Sequence, residues 1–295
     1  MKRVLLIGAN GYFGAYLHRE LATCGWEVEG WGGIRASNAP ELAVRSVDLT
    51  EPSRVRAAFL AFRPDAVIHA AALASVAECH RQPALAHFVN VQGTDLLCEL
   101  SASLGARMIY IGTDMVFDGE KGNYREYDGT APVSVYGKTK LAAERSVRSL
   151  TGSLIVRISL LFGPSLGPRP SFFDQQVQAV RHGQPLTLFQ DEWRTPLSNR
   201  TAARAINELL QSEFVGVLHI GGPERMSRLD MGRRLARHLD VEGQSIVAAH
   251  REQFEGPEPR PRDLSLDSAR WRELCPELPW PTFEESLSEM GTRAC

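Results

Sequence analysis

Tyr136 and Lys140 stand four positions apart in a stretch, Val135–Leu150, whose pattern predicts a helix. That spacing puts both side chains on one helix face, a turn apart. A phenol titrating near its usual value of about 10 does little acid–base work at neutral pH. A neighbouring ammonium favours the phenolate and brings that titration down. The pair can then hand a proton to a carbonyl oxygen while a hydride arrives at its carbon, or reverse both steps. Thr113 is the third member. It lies just beyond the predicted strand Met108–Ile111, at the carboxyl edge where open α/β sheets bind ligands, and its hydroxyl can hold the same oxygen. A bare Tyr-x-x-x-Lys pair is more often a surface pair than a site, so the case rests on what precedes it.

What precedes it is Gly8-Ala9-Asn10-Gly11-Tyr12-Phe13-Gly14, between a predicted strand, Arg3–Ile7, and a predicted helix, Tyr12–Cys24. Gly8, Gly11 and Gly14 permit a tight turn and close approach of backbone to a pyrophosphate at a helix N-terminus. Asn10, Tyr12 and Phe13 complete the loop. Further strands (Glu27–Trp31, Val44–Val47, Ala66–His69, Leu154–Ile158) alternate with helices (Pro52–Phe62, Ala84–Leu104). The pattern predicts an α/β fold: a Rossmann-type doubly wound parallel sheet with a smaller, interleaved C-terminal substrate lobe. Residues 1–165 are expected to form the NAD(P)-binding domain, with a returning segment near 192–212, and residues 166–295 mainly the lobe. After Leu161 the Pro- and Gly-rich FGPSLGPRP breaks the alternation, and shorter elements follow (Phe172–His182, Pro185–Phe189, Thr201–Gln211, Val217–Ile220, Leu229–Leu239).

An acid at the end of the second strand would bind the ribose 2′-hydroxyl of NAD, but EGWGGIRAS has none after Glu29. Arg35 and Ser37 suit a 2′-phosphate instead, so NADP(H) is preferred while NAD(H) stays open; Arg35 as an ordinary solvated loop residue is the competing reading. Asp48 and Leu49 end the third strand, where the Asp48 carboxylate either accepts from the adenine amino group or caps the helix beginning near Pro52.

The 43% hydrophobic content of the 295 residues supports a sizeable core, and a net charge of −2 leaves no electrostatic footprint for nucleic acid. No apolar run reaches the roughly 18 residues of a membrane span. Five scattered cysteines without Cys-x-x-Cys or Cys/His spacing predict a reduced, cytoplasmic setting with neither a disulfide framework nor a metal site. The chain has only four lysines, Lys2, Lys121, Lys138 and Lys140, so two of them fall directly behind Tyr136.

These residues resemble the extended short-chain dehydrogenase/reductase family, and within it the dTDP-4-dehydrorhamnose reductase branch. The carriers are GANGYFG (8–14), HAAALASV (69–76), NVQGT (90–94), TDMVFDG (113–119) and YREYDGTAPVSVYGKTKLAAE (124–144). The resemblance implies that Thr113, Tyr136 and Lys140 are catalytic, with Lys140 also touching the nicotinamide ribose. It further implies cofactor contacts by the Gly8–Gly14 loop, Asp48, the backbone of Ala70, Ala71 and Ala72, and Asn90. Two positions depart from the branch: Gly112 stands where serine is usual, which reads as a side chain removed beside the nicotinamide, and Met115 stands where tyrosine is usual.

The expected function is NADPH-dependent reduction of a nucleotide-linked 4-keto-6-deoxy sugar. The alternatives are an NAD-dependent nucleotide-sugar epimerase or dehydratase, and a non-catalytic NADP-binding regulatory subunit resembling the methionine adenosyltransferase beta subunit. Asp114, Met115, Arg194 and Arg262 are candidate substrate contacts; Arg200 and Arg260 are further guanidinium candidates for a diphosphate. The partner implied is a nucleotide-sugar substrate, with no nucleic acid and no membrane, and the sequence leaves room for a homodimer.

Overall fold

A computed structural model describes residues 2–33, 43–167, 169–253 and 255–291. Six strands, β1 (Arg3–Ile7), β2 (Glu27–Gly32), β3 (Val44–Ser46), β4 (Ala66–His69), β5 (Arg107–Thr113) and β6 (Leu154–Ile158), join Gly216–Ile220 in one seven-stranded sheet. All its pairings are parallel, and the spatial order is β3-β2-β1-β4-β5-β6 followed by Gly216–Ile220. The order reverses between β1 and β4, and the crevice beyond their carboxyl ends is where such sheets take ligands.

The helices that cover the sheet and build the smaller body include α1 (Tyr12–Thr23), α2 (Pro52–Phe62), α3 (Val76–Arg81), α4 (Pro83–His87), α5 (Gly93–Leu104), α6 (Val135–Arg148), α7 (Phe172–Arg181), α8 (Asn199–Gln211) and α9 (Arg228–His238). Alternate residues of each strand face opposite layers. Val4, Leu6, Ile68 and Ile109 pack with α1 and α8, whereas Leu5, Ile7, Val67 and Met108 pack with α2, α5 and α6. Both faces are therefore covered, which is why the strands read as near-continuous apolar runs. Among the described residues no helix is long and apolar enough to cross a membrane.

The long helix expected over Ala84–Leu104 is instead α4 and α5 joined by a π turn, Phe88–Gln92. One wider turn leaves the apolar periodicity nearly intact, so the sequence pattern hides it. α3 also lies outside the elements expected from sequence; it starts where Ser75 accepts a hydrogen bond from the Glu78 amide at 3.2 Å. A smaller body gathers α7, α9 and the helix Phe283–Glu289 around Phe162, Phe173, Met226, Leu235 and Phe283. The chain returns from it to the main sheet through α8, packed on α1, and on to Gly216–Ile220.

Candidate active site

At the end of β1, Gly8 adopts φ +92°, and a Cβ there would lie 2.6 Å from the Ala71 amide nitrogen. Only glycine lets the loop and the end of β4 approach so closely. The amides of Gly8 and Ala9 donate to the Trp31 carbonyl at 2.8 and 2.9 Å, and the Ala70 amide donates to Ile7 at 2.8 Å, fixing the crevice between strands. α1 then opens from Gly11, which supplies no capping side chain, so its first-turn amides remain available to an anion. This cradle fits the pyrophosphate of a dinucleotide.

The other loop residues divide by role. The Asn10 side chain packs against Gly32 at the end of β2. The Tyr12 hydroxyl donates to the Gly163 carbonyl at 2.7 Å, and Phe13 is buried in the α1 core, so both offer the crevice backbone only. Asp48 accepts from the Thr50 amide at 2.8 Å, closing the turn before α2, and Leu49 is buried against Gly93. Ala70, Ala71 and Ala72 are half-buried along the crevice. Asn90, in the π turn, is spent on structure: it accepts from the Leu73 amide at 2.7 Å and donates to the Leu73 carbonyl and to Thr139 Oγ1. Arg35 and Ser37 lie outside the described residues.

The structure brings Thr113, Tyr136 and Lys140 together across β5 and α6. Thr113 ends β5, and its hydroxyl accepts from the Met115 amide at 3.2 Å, turning the chain through Asp114–Val116. α6 begins where Ser134 accepts from the Gly137 amide at 3.1 Å. A Cβ on Gly137 would collide with the Met115 carbonyl, so this glycine lets the first turn of α6 settle on the Asp114–Val116 turn. That approach brings the Tyr136 phenol close enough to Thr113 for the two hydroxyls to act on one another. Burial and the charge of Asp114 raise the phenol above its ordinary value, and the Thr113 hydroxyl pulls the other way. Lys140, 3% exposed, donates to the Ile111 carbonyl at 2.7 Å. Burial pushes it down to about 7, with Glu144 opposing.

The candidate substrate residues are placed differently from one another. Asp114 is buried, 3.6 Å from Arg194 Nε and 3.3 Å from the Ser159 hydroxyl that donates to it. Arg194 also donates to the Trp193 carbonyl at 2.7 Å and reaches Glu192 at 3.5 Å. Glu192 is buried and receives Arg228 at 2.9 Å and Arg260 at 2.7 Å. Burial works to raise its carboxyl, but Arg228, Arg194 and Arg260 outweigh it and hold it at about 2. Met115 is half-buried beside Val116, Phe117, Tyr124, Leu264 and Leu266. Arg262 donates to the Glu120 carbonyl at 2.6 Å, and Arg200 sits on α8, on the opposite face of the sheet from α6, with its guanidinium 3.4 Å from the Glu289 carbonyl.

Two further features lie outside the sequence reading. Residues 260–268 strap down the loop after β5: Asp263 donates its amide to Gly119, Ser265 accepts from the amides of Asn123 and Tyr124, and Asp267 donates its amide to Tyr124. The run RPRDLSLD carried that signal, since its alternating Leu264 and Leu266 fit a strand-like segment. The second feature is a buried pair beneath β5, in which Arg157 donates two bonds to Glu144 at 3.0 and 2.7 Å. A Cβ on Gly112 would stand 3.2 Å from the Glu144 carboxylate and 3.3 Å from Arg157 Cγ. The missing side chain at 112 therefore leaves room for this ion pair.

With a doubly wound sheet, a phosphate cradle at its switch point and a Thr-Tyr-Lys cluster beside it, the chain can be set among known proteins. It belongs to the RmlD substrate binding domain family, whose model matches residues 1–294. It is 30% identical over 281 residues to methionine adenosyltransferase 2 subunit beta from Pongo abelii, covering 92% of this chain and 82% of that one. It resembles the crystal structure of a hypothetical dTDP-4-dehydrorhamnose reductase from Sulfolobus tokodaii at 30% identity and a TM-score of 0.84, covering 95% of this chain and 97% of that one. The fold also matches the dTDP-4-dehydrorhamnose reductase from Bacillus anthracis in complex with NADP, at 24% identity, a TM-score of 0.86 and 98% of both chains.

Proposed function

We propose that this chain reduces a nucleotide-linked 4-keto-6-deoxy sugar with NADPH, its first 165 residues and the returning α8 segment holding the cofactor and its smaller body the sugar nucleotide. The observation that carries the reading is the meeting of Thr113, Tyr136 and Lys140 at the end of β5, next to the Gly8–Gly14 cradle. Bound in that cradle, NADPH supplies a hydride for the carbonyl carbon. Tyr136 donates its phenolic proton to the carbonyl oxygen, and Thr113 holds that oxygen through its hydroxyl. Lys140 supplies the positive charge that favours the phenolate left behind. Asp114, held by Arg194 and Ser159, fixes the turn that carries Thr113. Support for NADP over NAD comes from the acid missing after Glu29 and from the complex with NADP of the Bacillus anthracis relative.

The test is NADPH and NADH oxidation with dTDP-, UDP- and GDP-linked 4-keto-6-deoxy sugars, with Tyr136→Phe in parallel. Turnover that falls about 100-fold or more in the variant supports the reading. The similarity to the methionine adenosyltransferase subunit favours a second reading, an NADP-binding regulatory subunit. Tight NADP binding with no turnover of any ketosugar, and a change in methionine adenosyltransferase activity when the two proteins are mixed, would select it.

A further inference from the structure

Lys140 stands on an aromatic floor. Its ammonium lies 4.0 Å from the centroid of the Tyr110 ring while donating to the Ile111 carbonyl. Tyr110 is fully buried on β5, in register with His69 on β4, whose ring meets it edge-on at 5.5 Å. The Thr94 hydroxyl donates to the Asn90 carbonyl, so His69, 2.9 Å away, must donate to Thr94 through Nε2, while its buried Nδ1 has no partner among the described residues. Burial, aided by the charge of Lys140, holds His69 down at about 3. Glu144 on α6, tied to Arg157 on β6, is the charged group that acts on this ammonium; Tyr136, Glu144 and Cys98 on α5 act on Tyr110, and Asp114 and Cys79 act on Tyr136. The Tyr110 hydroxyl has no hydrogen-bond partner among the described residues. A buried orphan hydroxyl is a cost that phenylalanine would avoid, so what this position contributes to the site is the ring face, whose negative quadrupole attracts a cation.

We propose that Tyr110 is a positioning residue whose ring face holds the Lys140 ammonium in place and keeps it charged inside a buried site. Its importance for turnover rests on the proposed role of Lys140, but the contact itself can be read without turnover. Four lysines allow a protein labelled with 15N at the lysine side chains to be titrated residue by residue, Lys140→Arg assigning the signal. Tyr110→Phe keeps the ring, and a polyfluorinated phenylalanine placed at 110 keeps the shape while removing the negative face. We expect Lys140 to titrate in Tyr110→Phe as in the parent protein, and about one unit lower with the fluorinated ring, a tenfold loss of proton affinity. Tyr110→Leu should shift it in the same direction, and if that variant fails to fold the isosteric fluorinated pair still decides. Equal Lys140 midpoints in the phenylalanine and fluorinated proteins would overturn the proposal. If the protein is a reductase, its pH–rate profile should move with the Lys140 titration. If it turns over nothing, the titration stands alone, so the two ideas fail separately.

Discussion

Replacing Gly137 by alanine sets two effects of opposite sign against each other. In a helix alanine is favoured over glycine by up to about 1 kcal/mol, so an alanine with room would stabilise the protein. Here the added Cβ would meet the Met115 carbonyl oxygen inside the 3.0 Å that real Cβ atoms keep, with the Pro132 Cβ at 3.0 Å on another side. Backbone cannot yield as a flexible side chain does, so the first turn of α6 must lift from the Asp114–Val116 turn by about 1 Å. Overpacking of this kind costs about 1–3 kcal/mol, which outweighs the propensity gain. The melting temperature should therefore fall by a few degrees, at about 2–4 °C per kcal/mol in a chain of this size. The same lift separates Tyr136 from Thr113, and a misplacement of about 1 Å costs on the order of 100-fold in rate. Scanning calorimetry, NADP binding by fluorescence and NADPH oxidation measure the three consequences. NADP should still bind, because the Gly8 loop is untouched. A variant that melts higher than the parent and turns over normally would refute the packing argument.

Other perturbations test other parts of the structure. Glu144→Gln leaves Arg157 charged and buried with a neutral partner, and should cost about 3–5 kcal/mol in urea unfolding; it should also lower the Lys140 titration, since Glu144 is the charge that holds it up. Gly112→Ser, which restores the residue usual in the related branch, should cost about 1 kcal/mol through crowding of the Glu144–Arg157 pair. His69 and His219 are both depressed to about 3, chiefly by burial. Unfolded, each binds a proton near its ordinary value of about 6.5. The stability is therefore present above that value and is lost as pH falls from it toward 3, at up to about 2.7 kcal/mol per pH unit for the two together. Unfolding free energies between pH 7 and 5 should approach that slope as pH falls and show it reduced in His219→Gln; a flat profile would contradict the neutral, buried assignment.

Most of the main sheet was legible because its strands are buried on both faces and punctuated by glycine. Arg3–Ile7, Ala66–His69 and Leu154–Ile158 are apolar runs bounded by turns, and each sits in the sheet where the alternation puts it. Thr113, Tyr136 and Lys140 were legible because a strand end and a four-residue helical spacing are local facts. The π turn was not, since it changes the hydrogen-bond ring without changing residue types. Nor was the partnership of Glu144 with Arg157, or of Glu192 with three arginines, because pairing between distant positions leaves no periodic mark. With so many arginines in the chain, no sequence rule distinguished Arg194, sealed between Asp114 and Glu192, from Arg262 on an exposed loop.

The strap over the loop after β5 bears on when the site can take shape. Asn123 and Ser265, which bond across it, are separated by 142 positions. Closing so long a stretch is entropically disfavoured until much of the intervening chain is organised, and contacts of such sequence separation slow folding. On a ribosome, the cradle at β1 and the crevice beside it can assemble once α8, which covers α1, has emerged, before residues 260–268 are made. The turn that carries Thr113 gains its outer support only after residues 260–268 have emerged. The nascent protein should thus acquire a grip on nucleotide well before it acquires a finished pocket, and the two events could be timed separately by arresting synthesis at successive lengths.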